Sequence, residues 1–372
     1  MRILYGVQAT GQGHISRARA MATALQDKPV DITWLFSGRP KDQLFDMQPF
    51  GDFTHRAGLS FVTRAGRVRY FASWRHNQLR QFMRDVRSLD VSGYDVIVTD
   101  FEPVTAWAGR FAGVHTIGIG HQYAFGPATP TRGSNWLSDS IMRHFAPADL
   151  PLGLHWSDYA ANIFPPLLDL PELDTHCADH FLVYLPFEDQ AIVTALLQSF
   201  EEHQFIQYAP GLQQKLCANV QLMAPDIGSF KHHLASSRGV ICNSGFELIS
   251  ECLQWRKPVL TRPLQGQVEQ QSNALALRQL GYATTMDSLQ GQVIEQWLAS
   301  PQLPPQLQFP DVAAALATWL ADGACAAPAA LAADLWRKSA VANNAPNPSP
   351  PAVPMPLCAT AGSPGRYTRS AA

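Results

Sequence analysis

No stretch of the 372-residue chain reaches the ~18 uninterrupted apolar residues of a membrane-spanning helix. Charge is scarce too. Only 16% of residues are charged, and 28 Lys+Arg against 30 Asp+Glu leave a formal net charge of −2. A general nucleic-acid binder is normally basic overall, so no nucleic-acid partner is expected. The six cysteines (Cys177, Cys217, Cys242, Cys252, Cys325, Cys358) include no C-x-x-C pair. They fit neither a disulfide framework nor a zinc site and read as reduced thiols. The adjacent His232 and His233 do not by themselves make a metal site. Met1 and Arg2 lead directly into Ile3–Val7, too short for a secretory h-region. A cytoplasmic location is therefore expected.

Hydrophobic residues make up 46% of the chain. At roughly 100–200 residues per domain, the length allows two or three domains with real cores. Ile3–Val7 is a short apolar run of the kind found in buried parallel strands. The polar turn Gln8–His14 follows, then helical spacing over Ile15–Leu25. Strands are predicted at Asp31–Phe36, Tyr94–Val98 and His115–Ile119. Residues 126–176, rich in Pro, Asp and Trp, read as peripheral helices and a connection. A second alternation begins at Phe181–Leu185. Strands follow at Gln204–Tyr208, Val220–Met223, Gly239–Cys242 and Pro258–Thr261. Helices are expected at Asp189–Phe200, Phe230–Ala235, Phe246–Leu253 and Val268–Leu280. This order predicts an α/β chain with two sheets, the ligand sitting at the carboxyl ends of the strands. The expected division is 1–170, 178–322, and an Ala/Pro-rich disordered tail over 323–372, where six prolines crowd Asn343–Pro356.

Between Arg56 and Arg87 stand eight arginines and one acid, Asp85, with Phe61, Tyr70, Phe71, Trp74, Phe82 and Met83 among them. The segment reads either as a solvated helix face with core aromatics behind it or as a basic, aromatic contact for an anionic acceptor or a membrane surface.

The most informative stretch is Cys242-Asn243-Ser244-Gly245-Phe246-Glu247-Leu248-Ile249-Ser250-Glu251. A strand enters a Ser-Gly turn and a helix leaves it. Free amides at that helix start, with the macrodipole, favour a phosphate. Glu251, further along the helix, can accept both hydroxyls of a ribose. After the strand that follows Lys257, Glu269 and Gln270 open another helix. A carboxylate beside an amide suits the paired hydroxyls of a sugar.

Ser-Gly-x-x-x-x-Ser-Glu, a Lys-Pro strand and Glu-Gln-x-x-Asn-Ala together resemble the donor site of GT-B glycosyltransferases. The lipid II N-acetylglucosaminyltransferase and the UDP-glycosyltransferases are such enzymes. Gly11-Gln12-Gly13-His14, followed by Ser16-Arg17-Ala18, is similar to their first loop. Asp100-Phe101-Glu102-Pro103 and His121-Gln122 are similar to a bacterial and archaeal glycosyltransferase branch. The resemblance spans roughly residues 1–320. It implies two Rossmann-like domains with a cleft between them. The first (1–170) would take the acceptor and the second (178–322) a nucleotide-sugar donor, UDP-linked. Ser244, Gly245 and Phe246 would form the diphosphate loop, with Gly13 opposite. Glu251 would bind the ribose, the backbone at Ile227 the base, and Glu269 and Gln270 the sugar. Two departures stand out. Tyr184-Leu185-Pro186-Phe187-Glu188 replaces a Gly-Gly-Ser type loop, and Asn243 stands where the lipid II enzyme has arginine.

The reaction so implied is transfer of a sugar to an acceptor hydroxyl, with inversion. No Asp-x-Asp occurs in the chain, and no metal or cofactor is implied, the nucleotide sugar being a substrate. His14 is the first candidate for the base, Asp100 the second, and His121 a third on the acceptor side. The acceptor is unidentified; lipid-linked or glycan acceptors suit the family. Two other readings remain open on the sequence. One is an enzyme like UDP-N-acetylglucosamine 2-epimerase. The other is a non-catalytic protein that binds a nucleotide sugar.

Overall fold

The computed structural model describes residues 1–44, 46–59, 63–64, 67–68, 79–134, 140 and 142–343. The first lobe is built from β1 (Arg2–Gln8), α1 (Gln12–Leu25), β2 (Asp31–Ser37), β3 (Thr54–His55), the two-residue strands β4 (Thr63–Arg64) and β5 (Arg67–Val68), and α2 (Leu79–Ser88). It continues with β6 (Val96–Asp100), α3 (Pro103–Ala112), β7 (Thr116–Gly120), β8 (Leu150–Leu154) and β9 (Ile163–Phe164). Seven of these strands form one sheet in the order β3-β2-β1-β6-β7-β8-β9, and every pairing is parallel.

The second lobe runs through β10 (Phe181–Tyr184), α4 (Gln190–Gln198), β11 (Phe205–Tyr208), β12 (Lys215–Cys217), β13 (Val220–Met223), α5 (Ile227–Ser236) and β14 (Val240–Asn243). Then come α6 (Phe246–Gln254), β15 (Val259–Arg262), α7 (Val268–Leu280), β16 (Thr284–Thr285) and α8 (Gly291–Ala299). Its sheet has the order β12-β13-β11-β10-β14-β15-β16, parallel except for the β12–β13 edge pair. The central strands are mostly apolar and largely buried, with polar residues such as Gln8, Thr99, Asp100 and Asn243 at their carboxyl ends, because helices cover both sides of a parallel sheet. Two helices end where glycine supplies a left-handed residue: Gly113 (φ 71°) after α3 and Gly281 (φ 69°) after α7.

Strand order reverses between β1 and β6 in the first sheet and between β10 and β14 in the second. At such a switch point neighbouring loops diverge and leave a crevice beyond the strand ends. Gly11–His14 and Asp100 stand at the first, Ser244 and Gly245 at the second.

Two expectations fail. The segment 126–176 contains two strands of the first sheet, β8 and β9, which extend it by the partners Gly118↔Pro151 and Leu154↔Phe164. Short strands broken by Pro151 and Gly153 have no period to read. The expected tail over 323–372 begins with a helix. After α9 (Val312–Ala321), α10 spans Pro328–Asn343. Pro328 suits a first helical turn, alanines favour the helix, and Ala332 and Leu335 are buried. Both helices return to the first lobe, α9 packing on α1 and α10 on β9. Trp336 Nε1 donates to the Ile163 carbonyl at 2.7 Å. The proline-rich part from 344 onward lies outside the described residues. So do the side chains of Phe61, Arg64, Arg67, Arg69, Tyr70, Phe71, Trp74 and Arg75 of the arginine-rich segment.

Candidate active site between the lobes

His14 lies in the first turn of α1, after the turn that leaves β1. Its Nδ1 is 2.9 Å from Asp100 Oδ1, at the end of the adjacent strand β6. Arg17, one turn further along α1, donates from Nε and Nη2 to Asp100 Oδ2 and Oδ1 at 3.0 and 2.6 Å. Nη2 also stands 2.8 Å from His14 Nδ1. That ring nitrogen cannot accept from Arg17 and donate to Asp100 at once. The carboxylate is the stronger acceptor for Arg17, so in the neutral ring the proton sits on Nδ1 and the lone pair on Nε2. Burial opposes ionisation of Asp100, but Arg17 and His14 outweigh it and hold the carboxyl below its ordinary range. Arg17 also forms an ion pair with Glu247 of α6, across the cleft. A side chain on Gly13 would collide with that same glutamate.

α6 divides its faces by helical spacing. Phe246 and Ser250 (i, i+4) press on the first lobe. The Phe246 ring stacks on His121, and Ser250 Oγ accepts from Trp156 Nε1 at 2.8 Å. Glu247 and Glu251, also i and i+4, line a pocket with Gln12, Gly13, Arg19, Ile227 and Lys231. Its volume is about 110 Å³, below the ~300–1,000 Å³ of sites filled by drug-sized ligands. The lobes must therefore part, or side chains shift, for a molecule of that size to enter. Tyr184, Tyr208 and Phe230 give the pocket an aromatic wall.

Glu251 is buried and ion-paired with Lys231 of α5. Burial pushes its carboxyl up, and Lys231 only partly opposes this. Such a carboxylate can exchange its lysine contact for two hydroxyl donors. α6 starts at Gly245 with no side-chain cap, as do α1, α7 and α8. By contrast α3, α4, α5 and α9 are capped by Glu102, Asp189, Asp226 and Asp311. A Cβ built on Gly245 meets nothing within 4 Å, so the space on the side-chain side of that residue is open. Uncapped amides beside open space can receive an anion.

The structure thus brings Gly13, Ile227 and Glu251 to one pocket, with His14 and its partner Asp100 next to Gly13, while Gly245 precedes the helix that carries Glu251. Other candidates have structural partners. Ser244 is buried, its Oγ 2.9 Å from Thr261 Oγ1. Gln270 Oε1 accepts from the Leu264 amide at 3.0 Å. Glu269 accepts from Gln122 of the first lobe at 3.1 Å. His121 is fully buried, Nδ1 2.8 Å from the Leu154 carbonyl and Nε2 2.7 Å from Asn273 Oδ1. Each ring nitrogen faces an acceptor, and a neutral ring donates to one of them, so in this conformation His121 is packed as a strut between the lobes. Burial pushes its pKa down.

Sequence reasoning passed over Arg17, Arg19, Lys231, Glu247 and Asn273. Arg17 had a readable signal, since i+3 from His14 puts both on one helix face. Arg19, Glu247 and Asn273 depend on contacts between lobes, and Lys231 on a partner in the next helix of its own lobe, which no local pattern records. Among the described residues, no group of three or more His, Cys, Asp or Glu is arranged to hold a metal.

The profile of glycosyl transferase family 1 matches residues 1–304. The chain belongs to this glycosyltransferase family. Solved glycosyltransferases share its fold, which is GT-B. The spinosyn rhamnosyltransferase SpnG, complexed with thymidine diphosphate, is 15% identical with a TM-score of 0.52, over 90% of this chain and 100% of that one. SsfS6, a glycosyltransferase of Streptomyces sp. SF2575, is 12% identical with a TM-score of 0.53, over 92% and 96%. The glycotransferase of kitacinnamycin is 13% identical with a TM-score of 0.53, over 92% and 95%. Among curated proteins no significant sequence match is found. The glycosyltransferase family places the chain among the transferases rather than the epimerases.

Proposed function

We propose that this glycosyltransferase moves a sugar from a nucleoside diphosphate sugar, UDP-linked, to an acceptor hydroxyl, with inversion and without a metal. The observation that carries this reading is the adjacency of base and pocket. Gly13 lines the pocket that holds Glu251, and the next residue, His14, presents Nε2 with Asp100 behind it. The nucleotide would lie with its ribose at Glu251, its base near Ile227 and its diphosphate at the open helix start before Gly245. Those amides and the α6 dipole would stabilise the leaving diphosphate.

His14 would take the acceptor proton through Nε2, and Asp100 would orient the ring and stabilise the imidazolium. A single base acting opposite the leaving group serves a single displacement, which inverts the anomeric carbon. Residues 1–170 would receive the acceptor and 178–322 the donor. On the acceptor side, Arg80, Arg84 and Arg87 of α2 stand beside the exposed Leu79. That grouping supports peripheral contact with an anionic membrane face, where a lipid-linked acceptor would be found. No described helix is long and apolar enough to cross a membrane.

A thermal-shift screen of UDP-, GDP-, dTDP- and CMP-sugars tests the donor reading. A bound nucleotide sugar raises the melting temperature by mass action. UDP-sugars are expected to give the largest shift. No shift with any of them would overturn it.

A further inference from the structure

Arg19 of α1 belongs to the first lobe, yet it lines the pocket that holds Glu251, Lys231 and Ile227 of the second. Its Nε donates to Asp169 Oδ2 at 3.0 Å, and Ser16 Oγ donates to the same oxygen at 3.2 Å. Its Nη1 is buried and has no hydrogen-bond partner. A buried charged donor without an acceptor is costly, and one on a residue that lines a pocket marks a place for an acceptor atom.

The packing of α1 on α6 sets the depth of that place. Gly13 lies against Glu247, near the start of α6, while Arg19 lies within electrostatic reach of Glu251. Glu247 and Glu251 are one turn apart, ~6 Å along the axis. Arg19 therefore stands level with Glu251, a turn deeper than the helix start where a diphosphate would sit. Asp169 fixes its Nε and leaves Nη1 without a partner.

We propose that Arg19 is a specificity residue that donates from Nη1 to a ribose hydroxyl of the donor nucleotide. That hydroxyl donates its own hydrogen bond to Glu251. A hydroxyl is both donor and acceptor, so the pair reads it from two sides and from two lobes. A nucleotide lacking it leaves two buried polar groups unpaired, the condition under which a site discriminates most strongly. The inference rests on the nucleotide-donor reading above.

Titration calorimetry with UDP, 2′-deoxy-UDP and 3′-deoxy-UDP, on the wild type and on Arg19→Met, tests it. The wild type should bind UDP more tightly than at least one deoxy analogue. Arg19→Met should weaken UDP about tenfold, the loss of one charge-assisted bond. It should leave the affinity for that same analogue unchanged. Arg19→Lys, which can keep the contact with Asp169, should recover part of the preference. Thermal melting confirms that each variant is folded. Equal weakening of all three nucleotides would assign Arg19 to the phosphates or to general packing and overturn the proposal, as would no effect on any. Failure of the folded wild type to bind UDP would instead take down the donor reading itself.

Discussion

The imidazole of His121 lies flat on the ring of Phe246, centroids 4.0 Å apart and planes 7° apart. One residue follows directly on β7 of the first sheet, and the other opens the helix that leaves the Ser-Gly turn of the second. The start of α6 is thus held from the opposite lobe. Phe246 is 1% exposed. Phe246→Ala should lower stability by about 3–5 kcal/mol through the lost contacts and the cavity. Phe246→Leu should lower it less. Denaturant titration measures both.

His14 and Asp100 should separate turnover from binding. His14→Ala is expected to reduce turnover about 10²–10⁴-fold, the usual contribution of a positioned base. Nucleotide affinity should hardly change. Asp100→Asn should also cost turnover, because it removes the carboxylate that fixes the Nδ1 proton. Calorimetry beside single-turnover kinetics checks the split. A large affinity loss with unaltered chemistry would assign His14 to binding instead.

Glu251→Gln should weaken UDP by about tenfold or more. It should also lower the melting temperature, because Lys231 would stay buried without its counter-charge. The pair Glu251→Gln with Lys231→Met should restore melting and leave binding impaired. That divergence distinguishes a ligand contact from a structural ion pair.

Acid should destabilise the fold through buried histidines. Burial holds His155 well below its ordinary value of 6.5, with His121 nearby as a lesser cause. Its Nδ1 accepts from the Trp156 amide at 2.8 Å, which needs the neutral ring. Below about pH 6.5 the unfolded chain takes up a proton that the folded chain refuses, so stability falls as pH drops. One such histidine contributes about 1.4 kcal/mol per pH unit. His155→Gln should reduce the slope of unfolding free energy against pH between 6.5 and 5 by up to one proton.

Replacing Arg80, Arg84 and Arg87 together by alanine should reduce flotation with anionic liposomes and leave soluble-donor binding unchanged. Identical flotation of variant and wild type would remove the membrane contact from the account.

Much of the architecture is legible in the chain because parallel strands buried on both faces are continuous apolar runs. Ile3–Val7 and Gly239–Cys242 fall within one residue of β1 and β14 at each end. The strand expected at Tyr94–Val98 sits two residues later, as β6, because Asp100 still pairs in the sheet opposite Val7. Leu150–Leu154 escaped notice because proline and glycine interrupt it. α10 escaped because composition beyond residue 322 hid a helix that only the first lobe's edge stabilises. At the site, Gly13, His14 and Glu251 carry local signals of turn and helix position. Arg17 shares a helix face with His14, but its partner Asp100 is 83 residues away, and Lys231 has its value in Glu251, 20 residues away, which no local pattern records.

The homologous stretch ends at residue 304, but the polypeptide then doubles back to cover α1 and β9 of the opposite half. A proteolytic nick between residues 170 and 178 would accordingly leave two fragments still clasped together, with α9 and α10 as the clasp. Severing the polymer just after residue 304 would strip Leu316, Trp319 and Leu335 from the seam they fill and expose it to solvent. Neither half is a free-standing cassette, and engineered exchange of donor halves between such enzymes should carry the last two helices with the acceptor half.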